Sequence, residues 1–481
     1  MLWPGILILL LYLIYRYSSQ IRRRLPPGPK PLPLLGNIRD FPPPGVPEFQ
    51  HWLKHKDQYG GISSVSALGY TTLFRRYRKL LHQELGTKVS AAQFRDTQEF
   101  EANRQLVRSL RRPEDWVKNF QTTAGATILK TTYGYTVEPE KSDALVEQVE
   151  KMMKEFSLAA TPLAWTVDLI PILRYLPEWL PGASFKKISR AWKKSVEGTA
   201  YMPYQFVQRK MAASCHRQSY VSRLVEQCKK ESKNGYLSPE DEHAITWTAA
   251  NLYAAGADTT VVTMTAFTLA MILFPKVQRK AQEEIDRVVG TDRLPGFEDR
   301  ERLPYINALV KEAIRWWSVT PLGFTHTVGE DMEYNGYFIP KGAYLLPAIW
   351  WFLHDPKVYA DPETFEPERF LSPRNEPDPM AHAFGYGRRI CPGRFFGEAS
   401  LYINIAKSLA VFNINKAVGK DGKEVDVEAK TTPGVLSYLN KFQFRITPRS
   451  AKHVDLVKQL ESKHLWDEGD SEMIENIRNQ I

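Results

Sequence analysis

Apolar and polar positions follow a helical period over most of residues 70 to 320, the signature of amphipathic helices. Two breaks interrupt it: the proline-rich "TPLAWTVDLIPILRYLPEWLPG" around 162–182 and "LSPED" at 237–241, both composed of residues that stop helices. From 325 to 350 the pattern shortens into β-like pieces, "FTHTV", "MEYNGYFIP" and "AYLLPAIW". Asn335-Gly336 within them is a hairpin signal, because both residues tolerate the positive φ that a tight turn requires. An irregular Pro/Asp-rich stretch follows, then a helix over 398–413, a short hairpin over 434–446 and a charged, weakly ordered tail after 449. No internal repeat and no alternation of strand and helix of the Rossmann type is present. The pattern predicts a mainly α-helical body with small β-sheets.

The N-terminus departs from this pattern. "LWPGILILLLYLIY" is almost wholly apolar and is followed at once by Arg16 and by "RRR" at 22–24. A cleaved leader has its positive charge before the apolar run; here the order is reversed. Residues 1–21 are therefore expected to be a single-pass membrane anchor, with the body on the cytosolic side by the positive-inside rule. Residues 22–37, with "LPPGPKPLPLLGN", read as a basic, semi-rigid extended connector. Residues 38–449 then form the main domain and 450–481 the tail.

Composition narrows the chemistry. A chain of 481 residues, 43% hydrophobic and 25% charged, is ordinary globular material. Its formal charge of +10 fits nucleic acid, anionic lipid or an acidic protein equally well. Nucleic acid would explain that charge and none of the motifs below. Cys215, Cys228 and Cys391 form no CxxC and no Cys/His cluster, which argues against a disulfide scaffold and a zinc site. Cys391 is the informative one, placed in "FGYGRRICPGRFF" between a Gly-Arg-Arg turn and a Pro-Gly.

Phe384, Gly387, Arg389, Cys391 and Gly393 spell the haem-ligand signature of the cytochrome P450 family, which this chain resembles over roughly residues 26–449. The physics suits the pattern. Glycines let backbone pass close under a flat macrocycle, N–H groups and a helix N-terminus hold sulfur as an anion, and an arginine meets a propionate. The resemblance implies haem b with Cys391 as axial thiolate. "KEAIR" supplies Glu312 and Arg315, and "FEPERF" supplies Arg369, which in the family complete a buried structural network. "AAGADTT" resembles the distal helix. In the family Ala255 and Gly256 leave room for dioxygen, Thr259 disturbs the helical ladder, and Asp258 with Thr259 carries protons to it. In "FRRYRK" Phe74 stands where the family usually has Trp, and Arg78 occupies the propionate-binding position. His326 matches another propionate partner.

The implied activity is a monooxygenase that inserts one atom of O2 into an apolar small molecule, a secondary metabolite, terpenoid, polyketide or xenobiotic. Electrons would come from NADPH through a membrane-bound cytochrome P450 reductase, docking on the basic helix with Arg75, Arg76 and Lys79, at the endoplasmic reticulum. The chain is most similar to microsomal fungal members. It departs from them between residues 69 and 74, where only "ISSVSALGYTTLF" separates "YGG" from "RRYRK" and some dozens of residues are missing. A catalytically impaired, truncated haem protein is the alternative reading.

Overall fold

The computed structural model describes residues 25–29, 37, 40–43, 45–59, 62–63, 75–139, 141–161, 165–232, 234–463 and 468–480. The expected anchor (1–21), most of the connector, Phe74 and the short stretch before it lie outside the described residues.

The body is helical. Its principal helices are α1 (Glu48–Tyr59), α2 (Arg75–Leu85), α3 (Arg95–Arg111), α4 (Trp116–Tyr133), α5 (Ala144–Ala159), α6 (Ser184–Ala212), α7 (Tyr220–Glu231), α8 (Pro239–Leu273), α9 (Pro275–Val288), α10 (Pro304–Trp316) and α11 (Arg394–Val411). Two more, α12 (Ala451–Lys463) and α13 (Ser471–Arg478), follow near the C-terminus. The strands are short and pair antiparallel: β1 (His326–Thr327) with β4 (Tyr344–Leu345), β2 (Met332–Tyr334) with β3 (Tyr337–Ile339), and β5 (Phe412–Lys416) with β6 (Phe444–Pro448). Between β2 and β3, Asn335 and Gly336 both take positive φ, 51° and 74°, the geometry of a two-residue primed turn.

α8 organises the molecule. It begins inside "LSPED": the Ser238 hydroxyl accepts from the Asp241 N–H at 3.1 Å, Pro239 takes the first helical position, and Glu240, Asp241 and Glu242 complement the positive helix end. It stops before Pro275, whose ring disfavours helical φ/ψ at Phe274. Its C-terminal half joins one apolar core with α3, α9, α10 and α11, around Phe267, Leu309 and Ile405. Its N-terminal half joins a second with α4 to α7, around Tyr253, Leu145 and Phe206. Trp116 is buried at the first core and donates its indole N–H to Thr268 of α8 at 2.9 Å. Among the described residues α8 is the one helix long and apolar enough to cross a membrane; it is the core helix of this body.

Two sequence expectations change. The hairpin over 434–446 does not form: residues 444–448 pair instead with β5, directly after α11, because β5 offers an apolar partner in Ile414 for Ile446. Thr431 and Leu439 form an isolated bridge. The tail is also more ordered than its charge implies. α12 packs on α3, and α13 packs on α5 and α6, with Ile474 and Ile477 fully buried. Asp470 pins its start, accepting from the Thr136 N–H at 2.9 Å and Arg217 at 2.7 Å, with Lys210 Nζ at 3.1 Å.

Candidate functional site

The cysteine loop is shaped by local hydrogen bonds. Gly385 and Gly387 take φ of +75° and +55°, which residues with a Cβ adopt at a cost. Residues Gly387–Arg389 form a 3-10 turn. The chain then folds back so that the Cys391 N–H donates to the Phe384 carbonyl at 2.7 Å. Gly393 caps α11, so the thiol sits just before a helix N-terminus. Burial pushes the Cys391 thiol up; the Gly393 N–H and the Arg78 and Arg394 guanidiniums pull it down. Arg78, half-buried on α2, is lowered by burial, raised by the Cys391 charge, and lowered again by Arg394 and Arg389. Sequence elements some 310 residues apart thus converge on one sulfur. Arg394 was not singled out in the sequence. Its guanidinium donates to the Cys391 carbonyl at 3.3 Å, and its place in the first helical turn after the cysteine is the signal that marks it.

Across from this loop, α11 packs on α8, with Gly256, Thr260, Phe396 and Ser400 meeting at one small cavity. Gly256 is there for closeness: a Cβ would stand 2.8 Å from Ile128 of α4. α8 is buried along most of its circumference, yet His243, Asn251 and Ala255 are exposed, and Trp247 and Thr259 partly so. These positions recur every four residues and form one open stripe. Thr259 donates its hydroxyl to the Ala255 carbonyl at 2.7 Å, back-bonding along the ladder. Asp258 is turned elsewhere. It is buried and accepts from the Tyr438 hydroxyl at 2.5 Å. Burial raises its carboxyl to about 6, with the Tyr438 hydrogen bond opposing and the neighbouring Glu150 charge assisting. Asp258 and Thr259 lie on different faces of α8, because consecutive helical residues point about 100° apart.

Glu312, Arg315 and Arg369 are brought together, all fully buried. Arg315 binds Glu312 through two bonds, Nε–Oε2 at 2.7 Å and Nη2–Oε1 at 2.8 Å. Arg369 Nε reaches Glu312 Oε1 at 3.1 Å. The guanidiniums also donate to the carbonyls of Leu353, Pro362, Asp361 and Thr364. The cluster stitches α10 to the irregular segment that leads into the cysteine loop. His326 lies exposed on β1, and Arg389 is exposed in the loop.

These residues fit a haem. Cys391 as a residue keeps part of its surface open, a Cβ at Gly385, Gly387 or Gly397 would meet nothing within 4 Å, and the Arg78 and Arg394 charges act on the sulfur. Such an arrangement defines a haem-thiolate protein. The chain belongs to the cytochrome P450 family, whose model, described as Cytochrome P450, matches residues 51–437. It is 45% identical to the cytochrome P450 monooxygenase CLM2 of Gibberella zeae, with 98% of each chain covered. It is 43% identical to the multifunctional cytochrome P450 monooxygenase af510 of Aspergillus fumigatus, with 94% of each covered. It is 36% identical to an O-methylsterigmatocystin oxidoreductase of Aspergillus flavus, over 96% of this chain and 95% of that one. The first of these alignments runs over 519 positions, 38 more than the 481 residues here, so that relative carries internal residues that this chain lacks. The protein is a haem-thiolate monooxygenase, an oxidoreductase of fungal secondary-metabolism type that uses O2, a substrate and a redox partner.

Proposed function

We propose that Cys391 is the axial ligand and that the open stripe of α8 is the distal wall over the haem, where an apolar small molecule is oxygenated. The observation that carries this reading is the Cys391 thiol at the start of α11, which the Gly393 N–H and the Arg78 and Arg394 charges favour as an anion against burial. When bound, haem supplies the redox chemistry that puts one atom of O2 into substrate and releases the other as water. The protein's own groups do the rest. Burial raises the Cys391 thiol, and the Gly393 N–H with the Arg78 and Arg394 guanidiniums works against that rise and favours the thiolate that haem iron would bind. Arg78, Arg389 and His326 are the propionate partners. Ala255 and Gly256 leave space beside the wall, and Thr259 with Asp258 holds and passes protons. Glu312, Arg315 and Arg369 keep the loop in place without touching substrate.

The finer assignments rest on sequence. Residues 1–21 anchor the protein in the endoplasmic reticulum membrane, with 22–37 as connector and 38–449 as the catalytic body. Electrons arrive from the NADPH-dependent cytochrome P450 reductase at the basic α2 face, where Lys79 is exposed. Exposed Ile172, Tyr175 and Trp179, between α5 and α6, support contact with a membrane surface, since such aromatic residues favour the lipid–water interface. The relative's name, O-methylsterigmatocystin oxidoreductase, supports a secondary metabolite as the substrate class. The test is the reduced carbon-monoxide difference spectrum. Cys391→Ser is expected to abolish the red-shifted thiolate band, while Cys215→Ser and Cys228→Ser keep it. A Cys391→Ser variant that retains the band removes the ligand assignment.

A further inference from the structure

Asp258 borders a second small cavity, of about 10 Å3, lined also by Gln121 of α4, Val146, Val149 and Glu150 of α5, and Ala257. About 10 Å3 is the room a single water requires, together with two to four polar partners. Gln121, Glu150 and Asp258 are the residues with polar side chains along its lining. Glu150 keeps 32% of its side chain in solvent and meets Lys154 Nζ at 2.5 Å, whereas Asp258 is buried. The cavity therefore lies between a carboxyl that is part-open to bulk water and one that is shielded from it.

We propose that Glu150 is the outer end of a proton inlet to Asp258, with one water in this cavity bridging the two carboxyls and Tyr438 holding Asp258 in register with it. The proposal rests on the reading of Asp258 and Thr259 as a proton relay. In each delivery a solvent proton replaces the one Glu150 passes to the water. The water passes one on to Asp258, and Asp258 regains what it gives inward toward Thr259. Neither carboxyl changes charge over a full turnover. Tyr438 serves as a clamp: burial and the Asp258 charge hold its phenol far above the ordinary range, so it donates a hydrogen bond and keeps its proton. The charged neighbours facing Asp258 act in opposite senses, Glu150 raising its proton affinity and Lys154 lowering it.

Glu150 acts through Asp258, so it is a positioning residue, and the test uses two readouts on the full-length, haem-loaded protein. One is coupling, the share of NADPH electrons recovered in product, as a function of pH. The other is infrared titration of the Asp258 carboxyl in the resting protein without substrate, assigned by its loss in Asp258→Asn. Glu150→Gln is expected to lower coupling several-fold and to move the Asp258 midpoint downward, because the anion that raised it is gone. Glu150→Asp restores most of both. Val149→Leu fills the cavity, lowers coupling and leaves the midpoint in place. Unchanged coupling in Glu150→Gln, with Asp258→Asn uncoupled, overturns the inlet and leaves the relay standing. Unchanged coupling in Asp258→Asn overturns the relay itself. Should Glu150→Gln fail to hold haem, Val149→Leu decides alone, and full coupling in that variant overturns the inlet.

Discussion

Two buried carboxyls in this protein have opposite surroundings. Glu312 is fully buried against two guanidiniums and also accepts the Glu366 N–H at 2.8 Å. Asp258 is buried against one phenol. Burial pushes both carboxyls up, but Arg315 and Arg369 oppose that rise at Glu312, and arginine stays charged at any working pH. Glu312 therefore sits where two cations already match its charge. No cation bonds to Asp258 among the described residues, and its titration is carried to about 6. A compensated carboxylate serves as a fixed joint; a weakly compensated one can hold and release a proton near neutrality. The same residue chemistry is structural in one place and exchangeable in the other, and the number of cationic partners decides which.

The comparison breaks most severely at Glu312. Glu312→Ala leaves Arg315 and Arg369 buried without a counter-ion, and removing one partner of a buried pair costs on the order of 3–5 kcal/mol. The expected outcome is loss of most folded, haem-retaining protein, read by thermal denaturation and haem content. A variant that melts within a degree or two of the parent shows that the network is dispensable.

These two carboxyls also show what the sequence discloses. Glu312, Arg315 and Arg369 were legible because their strings have a fixed form, even though Glu312 and Arg369 are 57 positions apart. The cysteine loop was legible for the same reason: its glycines, arginines and cysteine are contiguous and their spacing is dictated by backbone geometry. The helical body and the Asn335-Gly336 turn followed from periodicity and φ preference. What did not follow were contacts made by tertiary packing alone. Tyr438 meets Asp258 across 180 residues and carries no local signal that could have marked it. The β5–β6 pairing was mistaken for a local hairpin because alternation shows a strand but not its partner. The tail was judged by its charge, although Ile474 and Ile477 on one face of α13 are what docks it.

Asp258→Asn sharpens the comparison with a smaller effect and a definite sign. The folded-state carboxyl titrates at about 6 against the ordinary aspartate value of 3.8. The folded protein therefore binds the proton more tightly, and stability from this group is lost as pH rises through that interval. The loss approaches about 3 kcal/mol above the folded value, and roughly half of it falls between about pH 5 and pH 8. Asparagine keeps an acceptor for Tyr438 and cannot ionise. The variant should gain stability relative to the parent as pH increases, measured as the difference between their denaturant midpoints. A difference that is flat with pH shows that Asp258 is not held above its ordinary range.

Tyr438→Phe gives the smallest effect and the opposite trend. It removes a donor without changing the shape of the ring, so the transfer cost is minor and the loss is that of one hydrogen bond to a buried carboxyl, about 1–3 kcal/mol when the acceptor is charged. The phenol is what lowers the Asp258 titration against burial. Without it the folded-state carboxyl should titrate above its present value, extending to higher pH the interval over which stability is lost. At low pH, where the acid is protonated in both proteins, parent and variant should differ little. The two denaturant midpoints should separate as pH rises, whereas those of Asp258→Asn and parent separate in the other direction. Combining the two substitutions tests whether they share one interaction. In the Asp258→Asn background the pH-dependent part of the Tyr438→Phe cost should vanish, leaving a constant loss from the bond to the amide. If the pH dependence survives there, Tyr438 is acting on some other titrating group, and Asp258 and Tyr438 do not act as one unit.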